Sequence, residues 1–71
     1  MHTYKLNEYM IRHGERSFQA LTMRFLGKDN IHRWTELRDT NPNITENQLI
    51  NGRIITIPMS WLNEWYNYSM N

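Results

Sequence analysis

The sequence predicts an α+β domain in which two short strands enclose two helices, in the order β-α-α-β. Three observations carry this. Short apolar runs at residues 9–11 and 54–57 place Tyr9 with Ile11 and Ile55 with Ile57 on one face of a strand. Between them Phe18, Leu21 and Phe25, and then Ile31, Trp34 and Leu37, recur at helical spacing. Gly14, Gly27 and Gly52 punctuate the joints. Two strands that flank a helix pair in sequence most simply pair antiparallel, with both helices packed on one face of the sheet.

The elements follow in order. Residues 1–8 read as an N-terminal arm, in which Tyr4 and Leu6 alternate with polar neighbours. The domain spans residues 9–58. Its first strand places Tyr9 and Ile11 on one face and Met10 and Arg12 on the other. His13-Gly14-Glu15-Arg16 is a turn, because glycine accepts positive φ. Ser17 is the N-cap of a helix over 18–26, whose apolar stripe is Phe18, Leu21 and Phe25 with Thr22 beside them. Gly27 stands where a glycine ends a helix. Asp29 or Asn30 caps a second helix over 31–39, with Arg33, Glu36, Arg38 and Asp39 facing outward. Asn41-Pro42-Asn43 is a loop, since proline disfavours helix at the residue before it, and Ile44 plugs the core from that loop. Thr45 and Glu46 start a short turn that puts Leu49 inward, and Asn51-Gly52 makes the next turn. In the second strand Ile55 and Ile57 alternate with Ile54 and Thr56, up to Pro58. Residues 59–71 form an aromatic tail.

Composition narrows the function classes. A chain of 71 residues forms one small domain. Lys plus Arg is 8 and Asp plus Glu is 7, too balanced for charge alone to recruit nucleic acid or an anionic membrane. With no cysteine, disulfides and cysteine-based zinc sites are excluded. The N-terminus lacks the apolar stretch of a secretory signal, and no run approaches the ~18 apolar residues of a membrane helix. The expectation is a soluble intracellular protein, or one exported without its own signal. His2, His13 and His32 have no metal-ligand spacing. The chain has no nucleophile elbow and no phosphate-binding glycine loop, so no catalytic site and no cofactor is expected. A helix-turn-helix reading fails because Glu15, Asp29, Glu36 and Asp39 interrupt the basic residues.

Three segments together resemble one family. Tyr9-Met10-Ile11-Arg12-His13-Gly14-Glu15-Arg16, then Asn41-Pro42-Asn43-Ile44, then Leu49-Ile50-Asn51-Gly52-Arg53-Ile54-Ile55-Thr56-Ile57-Pro58 stand in the order and spacing of the LysM domain motifs. That family is a peptidoglycan- and chitin-binding module of βααβ fold. Two departures matter: Glu15 and Arg16 replace the family's aspartate and threonine. A helix ending Phe25-Leu26-Gly27, a second helix carrying Trp34, and Asn41-Pro42 look like the LysM-like proteins of phage tails and contractile injection systems. The resemblance to those implies a structural part of a baseplate or tail, located in the virion and assembled in the host cytoplasm beside other tail proteins.

Two candidate sites follow. The resemblance implies a shallow glycan groove formed by Gly14, Glu15, Arg16 and Ser17 with Asn41, Pro42, Asn43 and Ile44. The other reading is that these are turn residues required by the fold, and the long Arg16 side chain in the groove weighs toward it. The second candidate is a protein interface formed by Tyr4 and Leu6 of the arm with Trp61, Leu62, Trp65, Tyr66 and Tyr68 of the tail. Trp61 and Trp65, and Leu62 and Tyr66, stand at i, i+4. Aromatic residues dominate interface energetics. The competing reading folds this tail back onto the domain's own core.

Overall fold

The computed structural model describes residues 2–12, 14 and 16–63. The elements are β1 (Thr3–Lys5), α1 (Glu8–Arg12), α2 (Phe18–Leu26), a 3-10 stretch (Lys28–Arg33), α3 (Trp34–Thr40), a 3-10 turn (Glu46–Gln48) and β2 (Ile54–Thr56). Residues 59–63 are helical again. The strands pair antiparallel with Thr3 opposite Thr56, Tyr4 opposite Ile55 and Lys5 opposite Ile54. The helices pack on one face of this sheet. The α+β architecture is therefore the predicted one, a small module consistent with a LysM-like fold.

The first strand lies elsewhere than expected. Residues 9–11 belong to α1, and the strand is Thr3–Lys5, inside the segment read as an arm. Residues 4–6 alternate apolar with polar and residues 9–11 are apolar throughout, and either run suits a short strand, so neighbouring sequence does not rank them. Pairing with β2 does. Tyr4 and Leu6 fall on the same face as Ile55 and Ile57, and Leu6, Ile55 and Ile57 are buried there. Residues 8–12 instead close a helical turn, with Arg12 paired to Glu8 at 2.6 Å. The strand-turn motif is thus split, with α1 between the strand and Gly14.

The middle of the chain follows its local signals. Ser17 caps α2 by accepting a hydrogen bond from the Ala20 amide at 3.0 Å, and Gly27 ends the helix at φ 88°. Phe18, Leu21 and Thr22 are buried, and the Thr22 hydroxyl donates to the Phe18 carbonyl. The second helix begins α-helical only at Trp34. The preceding turn is 3-10, and Asn30 leaves helical φ/ψ there. Ile31 consequently stays exposed, while Leu37 is fully buried. Arg38 stacks over Trp34, 5.0 Å from the ring centre. Thr45 and Gln48 form a capping box that ends with Leu49 buried.

The core gathers Leu6, Phe18, Leu21, Leu37, Leu49, Ile55, Ile57 and Trp61. Phe25, Trp34 and Ile44 pack against it while staying partly exposed. Two residues come from outside the 9–58 segment, Leu6 and Trp61.

Candidate functional site

The expected groove loops are largely spent on the fold. Ser17 uses its hydroxyl as the α2 cap. Asn41 is 5% exposed, and its amide makes three hydrogen bonds. Nδ2 donates to the Leu37 carbonyl at 2.8 Å and to the Thr56 carbonyl at 2.9 Å, and Oδ1 accepts from the Thr56 amide at 2.8 Å. The first bond ends α3. The other two occupy the outer edge of β2, where the side-chain amide substitutes for the peptide group of a third strand. Ile44 is partly buried against the core. What faces outward is Gly14, Arg16, Pro42 and Asn43. Gly14 has φ 83°, a conformation that favours glycine. Glu15 lies outside the described residues.

The expected interface residues divide. Leu6 and Trp61 are each 1% exposed, buried in their own chain's core. They are therefore not surface anchors, and at Trp61 the tail does fold back onto the domain. The reason is room beyond the end of α2. The Phe25 ring meets Tyr4 edge-on at 5.2 Å between centroids and Trp61 at 6.4 Å. Trp61 also finds a partner for its indole N–H, which donates to Glu36 Oε1 at 3.0 Å. Tyr4 and Leu62 are partly buried. Trp65, Tyr66 and Tyr68 lie outside the described residues.

Glu36 faces outward as the sequence predicts, its side chain 39% exposed. There it accepts from Arg33 Nε at 2.8 Å and Arg33 Nη2 at 3.0 Å as well as from Trp61. The Arg33 hydrogen bonds first, and then the indole, hold its carboxyl below the ordinary carboxylate range. Nothing near Glu36 in sequence signals this, because its indole partner is 25 residues away.

Beside the aromatic cluster the surface is hollow. A recess of about 220 Å³ is walled by Tyr4, Phe25, Leu26, Ile57, Trp61 and Leu62, with His2 and Thr3 at its strand side. The chemistry of these walls suits an apolar side chain. Among the described residues no group of His, Asp and Glu could hold a metal ion, and no helix is long and apolar enough to cross a membrane.

Compared with known proteins, the chain matches no family model, and no curated protein or solved structure is significantly similar to it.

Proposed function

We propose that this protein is a structural adaptor in a phage tail or related contractile injection machine, a LysM-like module that holds tail or baseplate subunits together in multiple copies. Its partners in this reading are other tail proteins, its place is the virion, and it carries out no catalysis. The phage-tail part of the reading rests on the sequence resemblance. The observation that carries the adaptor part is the contrast between the two candidate sites. Asn41, which would contribute polar contacts to a sugar, is locked into the fold by three hydrogen bonds. The apolar recess beside β1 is open to receive a protein side chain.

Two measurements test it. Titration of the full-length protein with N-acetylglucosamine oligomers is expected to leave the amide resonances of Gly14, Arg16 and Asn43 unmoved. A tagged copy expressed from its native locus is expected to co-purify with intact particles at fixed stoichiometry. Saturable shifts at Gly14, Arg16 and Asn43, with no copy in the particles, would replace this reading by that of a peptidoglycan-binding module.

A further inference from the structure

Among the described residues nothing pairs with the outer side of β1. The bonds Leu6 N–H to Arg53 C=O and Ile57 N–H to His2 C=O set the alternation of the ladder. Leu6, Tyr4 and His2 therefore point their amides at β2, and Thr3 and Lys5 point theirs away. Both residues are exposed, and no described residue bonds to their outward N–H and C=O groups. The recess adjoins this same edge through His2, Thr3 and Tyr4. Lys5 stands on the edge with no ion pair among the described residues.

We infer that β1 is a docking edge for an extended segment of a partner protein, which adds as a third strand and seats one apolar side chain in the recess. This deepens the adaptor reading by naming the kind of partner segment. Strand addition takes its affinity from main-chain hydrogen bonds and its specificity from alternate side chains. The residues opposite Thr3 and Lys5 bond to the edge, and their side chains share the outer face with Lys5. The residue between them lies opposite Tyr4 and points to the helix-covered face, where the recess is. A cavity of about 150 Å³ holds benzene, so 220 Å³ accommodates an aromatic or branched side chain. The Lys5 ammonium, without an ion pair among the described residues, selects a carboxylate opposite it. A second copy fits poorly. In the symmetric pairing it offers Tyr4 to the recess, and that ring is already packed on Phe25.

The probe is a capped seven-residue peptide of alternating threonine and valine with a central tryptophan preceded by glutamate. It is titrated into the full-length, isotope-labelled protein. Saturable shifts are expected at the amides of Thr3, Lys5 and Leu6 and at the Trp61 indole. N-methylation of the two peptide residues flanking the tryptophan is expected to weaken binding about tenfold or more, by removing the edge hydrogen bonds. Lys5→Glu is expected to weaken it about threefold, with recovery when the peptide glutamate becomes lysine. Thr3→Pro removes one outward N–H and is expected to weaken it without disturbing β2 resonances. Equal binding of the methylated peptide, shifts mapping away from β1, or no shift at millimolar peptide overturns the inference. Particle incorporation is scored separately, so an adaptor that docks by another surface remains distinguishable.

Discussion

The two edges of the sheet are built from the same material and end differently. On the outer side of β2, the Thr56 amide and carbonyl are both bonded to the Asn41 side chain, which reaches across from the end of α3. On the outer side of β1, Thr3 and Lys5 face solvent. An open strand edge is a liability that proteins blunt, cover or use. Here one edge is closed by a residue that also terminates a helix, so the fold depends on it. The other is left open by the described residues next to an apolar recess, with a lysine that discourages indiscriminate pairing. A two-stranded sheet is marginal alone, and this one draws its stability from the core beneath it and from Asn41 at its side. The β1 edge adds little to that stability, which is what the proposed docking requires of it.

Substitutions separate the two edges, and the largest effect belongs to a residue of the core beneath the sheet. Trp61→Ala removes a fully buried indole and is expected to cost about 4 kcal/mol in denaturant unfolding. That approaches the whole stability of a domain this small, about 4–10 kcal/mol. A loss under about 1 kcal/mol would mean that the indole is not packed as described.

The closed edge comes next. Asn41→Ala removes the hydrogen bonds to the Leu37 carbonyl and to the Thr56 amide and carbonyl, and is expected to cost about 3 kcal/mol by the same measurement. The comparison between edges is sharpest in a matched pair of prolines. Thr56→Pro removes an N–H that Asn41 accepts and is expected to cost about 3 kcal/mol. Thr3→Pro removes one that faces water and is expected to cost less than about 1 kcal/mol. Equal costs would break the distinction drawn here.

The smallest effect concerns the tie between the C-terminal helical turn and α3. Glu36→Gln weakens the Arg33 pair and the indole bond, and is expected to cost less than about 1 kcal/mol at neutral pH, since the group is part-exposed. Its pH signature is more telling than its size. The folded-state pKa of Glu36 is lowered, so its contribution is complete above the ordinary carboxylate value. It is lost as pH falls through the lowered one. The variant should therefore show a shallower loss of stability on acidification than the wild type, measured by urea midpoints across that range.

How much of this was readable beforehand varies by element. The α2 helix was legible to the residue, because Ser17, the Phe18–Leu21–Phe25 spacing and Gly27 all act within a few residues of one another. The turn at Thr45, the inward Leu49 and the β2 strand were legible for the same reason. The placement of β1 was not. A three-residue strand carries no signal of its own, and the apolar run at residues 9–11 reads as a strand as readily as residues 4–6 do. Trp61 was readable as an aromatic on a helical face but not as buried, since that depends on the space left between β1 and the end of α2. Asn41 was readable as a turn residue, and its hold on Thr56, 15 residues away, was not.

Composition and short-range pattern were thus enough to establish an α+β chain with two strands and its two central helices, their turns and most of the core, but not α1. Which run became the first strand, which edge was closed, and whether the indole at 61 faced inward were settled by contacts between residues distant in sequence. The physical reason is that caps and helix stripes are satisfied within one or two turns of chain. Ladder register, edge protection and cavity filling have no partner until the chain has closed on itself.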